Sequence, residues 1–115
     1  MGGVAVLLLA LQTATPGSLT FDVQCMVALG QMTETADQSA RAAASTASQF
    51  YFGRIDGRVP DAQLEAVLVR ETGGMPEQPS PALLQACGNF MAGRGQRLSE
   101  VGRRMSEREA QPARR

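Results

Sequence analysis

The 115-residue chain has no histidine, no lysine and no tryptophan, and only two cysteines. Each absence removes a class of chemistry. Without histidine there is no imidazole metal ligand, no imidazole general base and no imidazole switch near neutral pH. Cys25 and Cys87 are too few for a four-ligand zinc site and too far apart for a CxxC redox pair. No GxSxG nucleophile turn occurs. Gly93-x-Gly95 falls inside a helical pattern with no strand before it, which is not a dinucleotide fingerprint. Asp56, Asp61 and Glu65 lack the ligand order of a calcium loop. The expectation is a chain that is not an enzyme, with no catalytic residue, no metal and no cofactor. With four Phe and one Tyr, its core must come mainly from Leu, Val, Ala and Met.

The formal charge is zero, which argues against a general polyanion binder, but the charge is unevenly placed. Residues 22–77 carry four Arg and eight acids; residues 94–115 carry seven Arg and three Glu. The body is acidic and the end is basic. The basic end has no interleaved aromatics, so it reads as a solvated helix end and not as a nucleic-acid surface. The exclusive use of Arg reads first as compositional bias.

Val4 to Leu11 is an unbroken apolar run, followed by Gln12, Thr13, Ala14, Thr15, Pro16 and Gly17. This has the proportions of a secretory leader, although Met1-Gly2-Gly3 supplies no basic opening. It is far short of the roughly 20 residues that span a bilayer, so no stable membrane span is expected. Residues 1–18 are assigned to the leader, with cleavage after Ala14 or after Ser18, and no lipobox precedes Cys25. Export places the protein in the periplasm or outside the cell. In that oxidising setting two distant cysteines of a small domain pair, which predicts a Cys25–Cys87 disulfide.

The rest reads as one all-α domain over residues 19–109, a bundle of about four helices, with a frayed basic tail at 110–115. Phe21, Cys25, Ala28, Leu29 and Met32 share one face of a first helix from about Phe21 to Met32. An Ala-rich second helix runs from about Ala36 to Ile55, stopped at Gly57 in left-handed geometry. A third runs from about Pro60 to Thr72, ended by Gly73-Gly74. Ser80-Pro81 opens a fourth that continues to about Glu109. On it Leu84, Met91, Leu98 and Met105 repeat every seventh residue, and Gly88, Gly95 and Gly102 form a parallel row.

Two surfaces stand out as candidates for a partner. Phe50, Tyr51, Arg54, Asp56 and Arg58 make a dense aromatic–arginine segment, which suits either core packing or a partner-binding patch. The glycine row, Gly88, Gly95 and Gly102, costs the helix roughly 1 kcal/mol per residue relative to alanine and suggests a helix-packing groove. That groove would take another helix of the same chain, a partner protein or a second copy in a homodimer.

Three stretches taken together carry a resemblance: Asp22-Val23-Gln24-Cys25, the run YFGRIDGRVPDAQLEAVL from Tyr51 to Leu68, and CGNFMAGRGQRLSEVGRRM from Cys87 to Met105. They resemble a group of small exported two-cysteine helical proteins of Gram-negative bacteria. The layout is also similar to periplasmic acid-stress chaperones of the HdeA type. The aromatic-x-Gly-x-x-Asp-Gly stretch is similar to helical immunity proteins of the Rap1a/Tai type. These resemblances imply export, pairing of the cysteines and a protein-binding role, as a periplasmic chaperone or an inhibitor-like or immunity-like binder. A structural, envelope-associated protein without a specific ligand is the alternative. No functional residue is transferred by any of them.

Overall fold

The computed structural model describes residues 14–34 and 37–111. Four helices account for nearly all of them: α1 Leu19–Met32, α2 Gln38–Asp56, α3 Asp61–Thr72 and α4 Pro81–Ala110. The fold is all-α, as expected, and Cys25 is joined to Cys87 with their Cα atoms 5.7 Å apart. The apolar run Val4–Leu11 lies outside the described residues.

Local chemistry sets the helix ends. Ser18 caps α1 by accepting from the Phe21 amide at 3.1 Å, so this helix begins two residues before the apolar pattern does. Asp37 caps α2 by accepting from the Ala40 amide at 2.8 Å. Ser80 caps α4 through the Leu83 amide at 3.0 Å, with Pro81 in the first turn. Each such cap satisfies an amide that has no partner inside the helix. The stop after α2 differs from expectation: Gly57 is right-handed, at φ −71°. The chain tightens there, with Gly57, Arg58 and Val59 amides donating to Gly53, Ile55 and Ile55 carbonyls. Pro60 then ends the turn, because a residue before proline avoids helical geometry.

α1 is the central element and packs against each of the other three helices. One core cluster joins Phe21, Cys25, Tyr51 and Cys87, with Phe50, Leu83, Phe90 and Met91 around it. A second joins Val23, Ile55 and Val59 under Leu64, Val67 and Leu68 of α3. Between them, α1 buries one face toward α2 and α4 and another toward α3. The Ser48 hydroxyl donates to the Met26 carbonyl at 2.9 Å and ties α2 to α1. The Thr20 hydroxyl donates to Glu71 at 2.9 Å and ties the start of α1 to the end of α3.

The body ends where α4 leaves it. Phe90 and Met91 are half-buried, and every residue from Ala92 to Gln111 is exposed. Roughly the last 19 residues of α4 therefore extend beyond the packed helices, a reach of about 28 Å at 1.5 Å per residue.

Candidate functional site

The aromatic–arginine segment on α2 builds an internal lock. Tyr51 is fully buried, and its hydroxyl donates to the Cys87 carbonyl at 2.6 Å. Burial pushes that hydroxyl up to about 12, against a smaller lowering from the Arg54 charge. Phe21 meets Tyr51 edge-on at 6.2 Å and Phe90 at 5.6 Å, so three helices share one aromatic cluster beside the disulfide. Such pairs prefer edge-to-face geometry because ring faces are negative and edges positive.

One helical turn on, Arg54 and Arg58 both turn to Asp22, the carboxylate in the first turn of α1, which is completely buried. The Arg54 Nε–H donates to both carboxylate oxygens, at 3.1 and 3.2 Å. An Arg58 Nη2–H donates to Oδ2. The Gly17 carbonyl accepts from Arg54 at 3.4 Å and from Arg58 at 3.2 Å. The Arg54 guanidinium also lies 4.7 Å above the Phe90 ring, a cation–π contact. A buried carboxylate needs both charge and hydrogen-bond compensation, and two guanidinium groups supply both.

Of the five residues considered for a partner-binding patch, Tyr51 is interior, Phe50 and Arg54 are half-buried, and Asp56 and Arg58 are exposed. They do not come together as an outward surface. Arg58 adds a bond from Nε to the Arg54 carbonyl at 3.1 Å, which ties the turn after α2 back to the helix end. Only Phe52, on the opposite side of α2, presents an aromatic ring to solvent, at 40% exposure.

The glycine row lies elsewhere. A Cβ built on Gly88, Gly95 or Gly102 would meet nothing within 4 Å. No helix of the chain packs on this row among the described residues, so the expected intramolecular groove is open.

The uncovered surface runs down α4. At 100° per residue, Leu84, Cys87, Met91, Leu98, Val101 and Met105 fall on one side of the helix. The first half of this stripe packs into the core beside the disulfide. The second half continues in line with it and meets nothing: Leu98 is 73% exposed, Met105 59% and Val101 38%. Arg94 interrupts the stripe, Arg97, Arg104 and Arg108 follow one flank of the exposed part, and Gly95 and Gly102 follow the other. The far side carries the ion pair Arg103–Glu107 at 2.8 Å, and Arg97 of the flank reaches round to Glu100 at 3.4 Å. Exposed pairs of this kind contribute only a few tenths of a kcal/mol to the helix.

A shallow depression between the end of α1 and the loop before α4 is lined by Gln31, Met32, Glu34, Glu77 and Leu84. Two of its lining side chains, Glu34 and Glu77, are carboxylates. Among the described residues no three His, Cys, Asp or Glu side chains converge on a metal-sized site. No described helix is long and apolar enough to cross a membrane.

The exposed half-stripe was half visible in the sequence. The heptad of Leu84, Met91, Leu98 and Met105 is there, but periodicity reports a face and not its cover. No family model matches the chain, and neither a similar curated protein nor a similar solved structure is found.

Proposed function

We propose that this chain is an exported, disulfide-stapled helical domain that works without catalysis, by binding protein through the outer half of α4. The observation that carries this reading is the apolar stripe of α4, which leaves the body at Met91 and runs on uncovered through Leu98, Val101 and Met105. An aligned apolar face on a protruding helix is a ready partner for a groove or a second helix. The buried disulfide supports an oxidising compartment.

The same geometry bears on processing. Ser18 caps α1, the Gly17 carbonyl accepts from Arg54 and Arg58, and Ala14 packs against the first core cluster. Cleavage after Ser18 removes the cap, both acceptor contacts and Ala14; cleavage after Ala14 gives up only the Ala14 contact. The mature protein is expected to begin at Thr15, and N-terminal sequencing of the exported form checks this.

The binding reading is tested by placing a photo-crosslinking amino acid at position 98 or 103 and irradiating cells that export the protein. A discrete adduct from position 98 and none from position 103, on the far side of α4, is the expected outcome. Equal, diffuse labelling from both positions would contradict it. Leu98→Ser is the matching loss-of-contact variant: the fold should change by less than about 0.5 kcal/mol, as for other exposed substitutions, while the adduct formed from position 105 disappears.

A further inference from the structure

From the distribution of charge and exposed apolar surface we infer that the outer half of α4 docks on the outer face of α3 of a second copy of this chain, in a reciprocal exchange that closes a dimer. This inference rests on the reading of α4 as a protein-docking face and names its partner.

Among the described residues outside α4, the most exposed large apolar side chain is Val69 of α3, at 64%. It shares one exposed face of that helix with Asp61, Ala62, Glu65 and Ala66. Neither Asp61 nor Glu65 has a salt-bridge partner among the described residues, and neither do Arg94, Arg104 and Arg108 on α4. One face is apolar with free carboxylates; the other is apolar with free guanidinium groups. Both are left open in the monomer. The two alanines, one turn apart, let a second helix approach closely. At 1.5 Å per residue, Leu98 to Met105 covers about 10 Å and Asp61 to Val69 about 12 Å, so the two stripes match in length.

Opposite charges across an apolar seam favour this pairing over the symmetric one. Laying two copies of α4 on each other puts Arg94, which interrupts the stripe, into the shared seam, with Arg104 and Arg108 of both copies beside it. Like charges facing one another there are unfavourable. Docking α4 on α3 of a second copy instead brings the arginine flank to Asp61 and Glu65. Because each copy owns one arm and one acidic face, two contacts form around a two-fold axis and the assembly closes.

The test uses the disulfide-bonded chain in sedimentation velocity, from micromolar to hundreds of micromolar, at low and high salt. The expected result is a monomer–dimer equilibrium that salt weakens. Glu65→Arg alone, and Arg94→Glu/Arg104→Glu alone, should each weaken self-association at least about tenfold, which corresponds to 1.4 kcal/mol. Mixed in equal amounts, the two variants should associate again, because each arm then meets a face of opposite charge. A monomer at every concentration overturns the inference, as does a dimer that neither reversal disturbs. Recruitment of the wild-type chain to phosphatidylglycerol vesicles without dimer formation overturns it as well. If the chain stays monomeric while position 98 still crosslinks a different protein, the second copy is the wrong partner and the protein-binding reading of α4 stands.

Discussion

At the scale of single residues, two buried polar groups set the arrangement of the body. Tyr51 is the only tyrosine and the chain has no tryptophan, so its ionisation can be followed without overlap. Its hydroxyl sits at about 12 when folded, against about 10 in an unfolded chain. The stability that follows from this difference is complete below pH 10 and is lost as pH rises from 10 through 12, because only the unfolded chain ionises easily in that window. Absorbance at the tyrosinate band should therefore rise with a midpoint near 12, or abruptly with unfolding before it. A midpoint near 10 would show that the ring is not buried against α4. Asp22 is the second group. Removing it by Asp22→Ala strands two guanidinium groups that are only partly exposed, 27% and 39%, so the penalty is softened by solvent. A loss of about 2 kcal/mol in urea unfolding is expected, with partial recovery in Asp22→Asn, which keeps the side-chain carbonyl as an acceptor.

Among the described residues Gly17 is the one whose backbone demands glycine, at φ +88°. Gly17→Ala is strained there whatever the space, and its new methyl would also lie 3.6 Å from the Phe90 ring. The sequence pointed to neither Gly17 nor Asp22 as a structural residue. Asp22 reads as a first-turn carboxylate because the periodic set Phe21, Cys25 and Ala28 defines the buried face around it. The available signal was Arg54 in the last turn of α2 and Arg58 four residues on, in the turn just past its end. Which distant acid they meet depends on how α1 crosses α2, and local periodicity does not encode that.

At the scale of elements, the four helices were legible because their ends carry strong local signals. Ser80-Pro81 marks the start of α4, Gly73-Gly74 follows α3, and the Ala-rich run identifies α2. The Cys25–Cys87 pairing was legible from cysteine number and compartment. The cover on α4 was not, since a heptad looks the same whether its face is packed or bare. The glycine row supplies a direct check at this scale. Nothing lies within 4 Å of a Cβ at Gly95 or Gly102, and both backbones are helical. Gly95→Ala and Gly102→Ala should each favour the helical form of the outer segment by about 1 kcal/mol or slightly less, read as slower amide exchange of that segment at low concentration. Destabilisation by either would mean that a neighbour already occupies that flank within the monomer. The opposite signs expected at Gly17 and Gly102 separate a glycine required by backbone geometry from one that only loosens a helix.

At the scale of the whole molecule, the disulfide and α4 divide the labour. The bond links residues 62 apart, and in the chain-entropy model closing such a loop is worth about 4 kcal/mol. Cys25 and Cys87 are both fully buried, so reduction should be slow in native buffer and fast once the body opens. Cys25→Ala/Cys87→Ala should lose a large part of the folding free energy of so small a domain, read as a lower midpoint in urea. On the proposed reading the body is a mount, and the outer half of α4 is the part left to meet a partner.

Amide hydrogen exchange along α4 tests that division most directly. In dilute solution the amides of Leu83 to Met91 should be protected at the level of the body, and those from Gly93 to Glu109 should exchange much faster. The outer segment should slow when a partner is added or the concentration is raised. Equal protection of both halves in the dilute monomer would mean that the stripe is already covered, and the account of α4 as a docking face would be wrong.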